Sequence, residues 1–360
     1  MFSSLLRRSD DESYIGIDIG TSAIKVMEVD TSGERPRLKN AAVLPAPAGA
    51  LKNNMVVRPE EVAGVIRSLI DANGIQAKRV ISAIPGPSVF TKKISMPRAG
   101  AKELRTTIQF EASNYVPHNI NDVHLDYQVL NADGGPSMDV LLVAVKNDVL
   151  FSYINAIEQA GLEASVADVD YFALENMFEL GYPEEQERTI ALVNIGARYT
   201  SISILSQGET LFSGDVSVGG RLFTDALCET LEMKSADAEA AKMGTIPDGV
   251  DEHLVTECID RTTEHVAGEL HRQLGFFWNA AATDRAIDAL YVAGGGSQVH
   301  GLLEELSAKT GMQCHDVDVY RGLDCSGGID SEYLKEIGPA MSVSVGLALR
   351  REGDKPQLLD

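Results

Sequence analysis

Between Tyr14 and Asp30 the chain reads YIGIDIGTSAIKVMEVD. Asp18 ends one apolar run, Gly20, Thr21 and Ser22 make a bend, and a second apolar run follows. A glycine lets backbone approach an anion with no Cβ in the way. Successive N–H groups and two hydroxyls can then form a concavity for a phosphate. A carboxylate beside such a site suits hydrated Mg²⁺ rather than the anion itself. The same residues also suit a plain β-hairpin with a polar turn, so the turn alone leaves both readings open.

Three further turns bear on the choice. LVNIGARYTSISIL, from Leu192 to Leu205, repeats the opening pattern, and Asn194 stands where Asp18 stands, 176 residues on. One copy in each half predicts two related lobes that face each other. YVAGGGSQVHGLLEEL places Gly294, Gly295 and Gly296 between a buried strand and an amphipathic helix. Helix N-termini favour anions, and a glycine run admits a flat ligand close to the main chain. VSVGGRLFTDAL sets Gly219 and Gly220 before another helix. In ADAEAAKMG, Glu239 and Lys242 share a helix face, as a surface ion pair or as groups for a ribose. Glycine turns recurring at strand ends favour the phosphate reading.

The elements that must hold these turns follow from periodicity. RPEEVAGVIRSLIDANGI predicts a helix, with Pro59 in its first turn, a stripe of Val62, Val65, Ile66, Leu69 and Ile70, and Gly74 at its end. RVISAIPG predicts a buried strand. From Pro87 to Glu163 the pattern is strand VFTKKISMP, helix KELRTTIQFEASNY, strands VHLDYQVL and DVLLVAVK, and helix DVLFSYINAIEQAG, a compact α+β insert. Helices dominate from Arg221 to Ala282, and a short apolar helix, PAMSVSVGLALRR, comes near the end. This order predicts a mixed α/β fold with one lobe split across the sequence.

Bulk properties narrow the function. The 360 residues suffice for two core-sized units. Thirty-one basic against 53 acidic residues, a net charge of −22, argue against nucleic acid as a partner. Cys228, Cys258, Cys314 and Cys325 form no C-x-x-C pair, which fits reduced thiols in a cytoplasmic protein. No apolar run nears the roughly 20 residues of a membrane span. The N-terminal MFSSLLRRSDD, with Phe2, Leu5, Leu6, Arg7 and Arg8, reads as a frayed tail or as a weak contact with a membrane or a partner. The P-loop, the G-x-S-x-G elbow and the H-E-x-x-H helix are absent, and the seven histidines are dispersed.

IGIDIGTSAIK, ALVNIGARYTSISIL and LYVAGGGSQVHGL resemble the two phosphate motifs and the adenosine motif of the actin-like ATPase superfamily. IQFEASNYVPHNINDVHLDYQVL, DVLLVAVKNDV, AGLEASVADVDYFALENMFEL, SVGGRLFTDAL and LGFFWNAA resemble segments of the PilM family of type IV pilus assembly proteins, and the likeness runs from about Tyr14 to Arg351. It implies a two-lobed, FtsA-like architecture of duplicated ribonuclease H-like lobes, with ATP and Mg²⁺ in the cleft. The implied boundaries are a tail over 1–12, a first lobe over 13–86, 164–188 and 337–352, the insert over 87–163, a second lobe over 189–336 and a tail over 353–360. By motif, Asp18, Gly20, Thr21, Ser22 and Lys25 would face phosphates and Mg²⁺, although Lys25, on a strand, also reads as a solvated lysine. Gly196, Ala197 and Thr200 would answer from the second lobe, with Gly219 and Gly220 lining the cleft. Glu239, Lys242 and Gly294 to Gly296 would hold ribose and base. The implied partner is the cytoplasmic N-terminus of the membrane protein PilN, and through it PilO and PilP, so that a cytoplasmic chain is held at the inner membrane. Self-association is compatible with the resemblance.

One position departs from the pattern: the second phosphate turn usually carries an aspartate, and here carries Asn194. An amide still accepts a hydrogen bond from metal-bound water but adds no negative charge. Since phosphoryl transfer needs Mg²⁺ and water accurately placed, the expectation is ATP binding with slow or no hydrolysis. Two other readings are a sugar-kinase-like phosphotransferase and an FtsA-like membrane-tethered filament. The first needs a carboxylate base that the sequence does not single out. The second needs a C-terminal amphipathic helix, which REGDKPQLLD does not supply.

Overall fold

A computed structural model describes residues 13–130, 135–280 and 285–354. The N-terminal tail and the last six residues of the C-terminal tail lie outside them. The chain opens with β1 (Tyr14–Ile19), β2 (Ala23–Asp30) and β3 (Arg37–Pro45), an antiparallel meander. A small ribbon of β4 (Leu51–Lys52) and β5 (Met55–Val56) precedes α1 (Pro59–Ala72). In α1, Pro59 and two acids occupy the first turn, and Val62, Ile66, Leu69 and Ile70 are buried against the sheet. β6 (Arg79–Ile84) then returns parallel to β1.

The insert follows as β7 (Val89–Pro97), α2 (Ala101–Ser113), β8 (Val123–Val129) and β9 (Ser137–Lys146). Its three strands run antiparallel in the order β7-β9-β8. α2 covers one face, placing Leu104, Ile108 and Ala112 over Ile94, Met138, Val140 and Leu142. The next helix, α3 (Asn147–Gln159), falls within the expected insert but packs elsewhere. Its Val149, Leu150, Tyr153, Ala156 and Ile157 join the core of the first sheet with Ile15, Ile17 and Ile66. β10 (Glu163–Val169) completes that sheet beside β6, and α4 (Asp170–Gly181) leaves it.

The second sheet contains β11 (Thr189–Ile195), β12 (Thr200–Ser206), β13 (Glu209–Val216), β14 (Ala289–Ala293) and β15 (Cys314–Asp316). Between β13 and β14 run α5 (Arg221–Leu231), α6 (Ser235–Lys242) and α7 (Glu252–Ala280), and α8 (Leu302–Thr310) lies between β14 and β15. The strand orders are β3-β2-β1-β6-β10 and β13-β12-β11-β14-β15, each with an antiparallel meander and two parallel strands. The two sheets are therefore the same topology twice, and the repeat centred on Asp18 and Asn194 spans whole sheets.

The chain closes with α9 (Ser331–Ile337) and α10 (Ser342–Leu349). α10 is largely apolar around its whole circumference, broken only by Ser342 and Ser344, as suits an enclosed helix, and residues 342–348 are all buried. Leu174, Met177 and Phe178 of α4 and Met341 and Val345 at α10 form one core with Met27 and Val29 of the first sheet and Leu192 and Tyr291 of the second. This shared core places the β1–β2 and β11–β12 turns opposite each other.

Candidate functional site between the two sheets

Asp18 and Lys25 are paired across the β1–β2 ladder, and Lys25 Nζ donates to Asp18 Oδ2 at 2.8 Å. Lys25 is 9% exposed, so it is a buried partner of the acid rather than a solvated lysine. Gly20 tightens the bend through its N–H to Ala23 O, at 3.0 Å. The Thr21 and Ser22 hydroxyls bond to no described residue; Thr21 lines the same cavity as Asp18, and Ser22 is exposed.

In the opposing turn, Asn194 Oδ1 accepts from Ser342 Oγ of α10 at 3.1 Å. Gly196 and Ala197 offer their carbonyls to the N–H groups of Gly220 and Arg221, at 2.9 and 2.8 Å. Thr200 is fully buried, and its hydroxyl donates to Val218 O at 2.8 Å. It thus ties the second turn to the segment that leads into Gly219 and Gly220, and does not face the space between the turns.

The glycines have a role that the sequence did not reveal. A Cβ on Gly219 would lie 2.6 Å from Gly196 O, and one on Gly294, whose φ is +93°, would lie 2.4 Å from Ile195 O. Here glycine is required because backbone packs on backbone. Gly295 is the exposed member of its triplet, while Gly294 and Gly296 are buried. Lys242 joins the same cluster. Its Nζ donates to Glu239 Oε2, to Thr224 Oγ1 at 3.2 Å and to Gly220 O at 3.4 Å, and Thr224 Oγ1 donates to Glu239 Oε1 at 2.6 Å. The Glu239–Lys242 pair thus clamps α6 onto the start of α5, with the glutamate side chain still half exposed. The structure brings together Gly196, Gly219, Gly220, Lys242, Glu239 and Gly294 to Gly296 on one side, and Asp18, Gly20 and Lys25 on the other.

Two acids near these turns were not anticipated. Asp170, the first residue of α4, accepts from Gly86 N at 3.0 Å and Tyr171 N at 2.7 Å through Oδ1, and from Tyr199 OH at 2.7 Å through Oδ2. Tyr199 belongs to the second turn, so this last bond joins the two halves. Burial pushes the Asp170 carboxyl up to about 6 against the pull of its three donors, and the nearby Asp18 adds to the rise. Asp215, at the end of β13, is pushed up to about 8 by burial and then by Asp170. Asp170 directly follows its strand, as Asp18 stands at the end of β1, and an acid at the edge of an apolar run was the signal available in ADVDYF. Asp18, Asp170, Tyr153 and Tyr199 line a cavity of about 30 Å³, room for one water.

Paired sheets of identical topology, joined by two buried helices and facing each other through glycine turns, define the actin-like ATPase fold. Among solved structures the chain is similar to the ethanolamine utilization protein EutJ of Carboxydothermus hydrogenoformans, with a TM-score of 0.58 and 16% identity over 97% of this chain and 93% of that one. It is also similar to MreB5 of Spiroplasma citri bound to ADP, with a TM-score of 0.52 and 10% identity over 93% and 95%. Those identities speak to the fold alone. The chain belongs to the family of type IV pilus assembly protein PilM, whose model matches residues 16–352. A solved PilM–PilN type IV pilus biogenesis complex superimposes with a TM-score of 0.83 and 29% identity, over 94% of this chain and 98% of that one. The cell division protein FtsA of Staphylococcus epidermidis is 22% identical over 261 residues. That match takes in 65% of this chain, which spans about half the length of this curated relative, 54%. Among the described residues no helix is long and apolar enough to cross a membrane.

Proposed function

We infer that this chain is an ATP-binding scaffold of a type IV pilus assembly complex, and that it recognises the cytoplasmic N-terminal peptide of a PilN-like membrane protein. The observation that carries this reading is the likeness, over nearly the whole of both chains, to a chain of a PilM–PilN type IV pilus biogenesis complex. The partner would hold the chain at the inner membrane and connect it to PilO- and PilP-like proteins.

The residues suit a Mg²⁺-nucleotide. Asp18 keeps an oxygen that Lys25 does not use, and the hydroxyls of Thr21, in the same cavity lining, and of the exposed Ser22 bond to no described residue. Asp18 and Asn194 would meet the metal through water, Gly20 to Ser22, Lys25, Gly196 and Ala197 the phosphates, and Glu239, Lys242 and Gly294 to Gly296 the ribose and base. Bound Mg²⁺ neutralises the phosphate charge. With an acid at Asp18 and an amide at Asn194, where the family pattern has two acids, turnover is slow or absent. A phosphotransferase would also need a carboxylate free to accept a substrate proton. Asp170 has both oxygens engaged, which favours a scaffold over a sugar-kinase-like enzyme.

Nucleotide would favour one arrangement of the lobes, and that arrangement would present a groove between the insert and the first lobe to the peptide. Each ligand then strengthens the other reciprocally. Calorimetric titration of a PilN-like N-terminal peptide, with and without Mg-ATP, tests this. Saturable binding near micromolar, about −8 kcal/mol, that tightens with Mg-ATP is the expected result. Absence of heat in both conditions would remove the scaffold reading.

A further inference from the structure

Asp215 projects from the end of β13 toward the first sheet, and its carboxylate occupies the space where a side chain at Gly86 would begin. A Cβ on Gly86 would lie 2.6 Å from Asp215 Oδ2 and 2.8 Å from Oδ1. The N–H of the same glycine donates to Asp170 Oδ1. Two carboxylates, one from each side of the seam, thus meet around one glycine.

Their environments differ. Asp170 has three donors, whereas Asp215 Oδ1 is buried without a hydrogen-bond partner. Ser201 Oγ is also buried without a partner, and Ser201 is the residue directly across the β12–β13 ladder from Asp215. The titratable groups facing Asp215 are Asp170 and Tyr171 of α4, while α7 brings Phe277 against the neighbouring Gly214. Among the described residues no lysine, arginine or histidine pairs with it. Two ionised carboxylates in such a place repel, and the one without donors is the one that takes a proton.

We propose that β13 docks against the Gly86 turn with Asp215 protonated, so that forming this seam between the two sheets takes up one proton and pH sets its strength. The proposal does not depend on the nucleotide or peptide reading. The direction of the titration agrees, since burial and Asp170 raise the Asp215 carboxyl to about 8. A raised acid binds its proton more tightly in the folded chain. Its contribution is therefore complete at low pH and is lost as pH rises toward about 8. Glu175 of α4 lies in the same seam, accepting from Thr210 Oγ1 at 2.7 Å and Ser213 Oγ at 3.3 Å of β13. Burial raises it to about 7, so it loses part of its own proton between pH 7 and pH 8, and only a comparison with a chain altered at Asp215 alone isolates that acid.

Denaturant unfolding of the full chain, without nucleotide, between pH 7 and pH 8 tests this. The folded-to-unfolded ratio of the natural protein should fall about fivefold more across that unit than that of D215N, which mimics the neutral acid at every pH. G86A, which pushes the carboxylate out of the seam, should lose the same fivefold dependence and serves if D215N does not fold. Equal pH dependence in D215N and the natural chain would overturn the proposal. It would also fall if added K⁺ or Mg²⁺ stabilised the natural chain at pH 8.5 but not D215N, because the carboxylates would then hold a cation.

Discussion

The β1–β2 and β11–β12 turns share a backbone plan but connect to the molecule in opposite ways. In the first turn, Asp18 is paired across the ladder with Lys25, and their ion pair lies within one hairpin. In the second, the same ladder position pairs Asn194 with Ser201, and no charge is present. Asn194 instead accepts from Ser342 of α10, and Tyr199 donates to Asp170 of α4. The first turn is self-contained, and the second reaches across to the helices that join the sheets. The two hairpins share a scaffold, but one is a charged site and the other a connector.

The largest effect should come from breaking the self-contained turn. Lys25→Met leaves the Asp18 carboxylate, whose side chain is 16% exposed, without its cation. Removing one partner of a buried pair costs about 3 kcal/mol, read as a lower urea midpoint at unchanged slope. An unchanged midpoint would mean that water already satisfies Asp18. A smaller loss should follow from cutting the connector. Tyr199→Phe removes one of three donors to Asp170, worth about 2 kcal/mol for a bond to a charged group. It should also raise the Asp170 carboxyl further, which carboxylate NMR titration would detect. A variant with neither change would place the link between the turns elsewhere.

Asn194→Asp sharpens the comparison by restoring the charge that the second turn lacks. The new carboxylate can still accept from Ser342, so stability should fall by no more than about 1 kcal/mol. With Mg-ATP present, phosphate release should rise about tenfold, a change of about 1.4 kcal/mol in the barrier. Release as slow as in the natural chain would show that the missing acid does not limit turnover.

The parts legible in the sequence were those set by local chemistry. Strand-turn-strand patterns located both hairpins, and Pro59, the apolar stripe and Gly74 located α1, because each signal lies within a few residues. The unread parts depend on contacts between distant segments. The stripe of α3 shows that Val149 and Tyr153 are buried, but only the fold shows that they meet Ile15 and Ile66. Asp215, in the half-polar ETLFSGDV, reads as an ordinary strand acid until Gly86 and Asp170 are brought against it. The glycines at 219 and 294 were legible as sites of close approach, and the fold adds that backbone also packs against them.

Ser201→Ala should have the smallest effect, though Ser201 occupies the ladder position that Lys25 holds in the first hairpin. Its hydroxyl is buried without a partner, so its removal relieves a desolvated group and opens only a small space. The expected change lies within about 0.5 kcal/mol of zero. A loss approaching that of Lys25→Met would mean that the hydroxyl is bonded through a buried water. The neighbour able to share that water is Asp215, across the next ladder. In that case the second turn would carry a hidden pair of its own, and S201A should also change the pH dependence assigned to Asp215. Measuring both variants at pH 7 and pH 8 separates the two cases: a near-zero change at both pH values leaves the charged and connecting turns distinct, and a pH-dependent loss makes them two versions of one paired design.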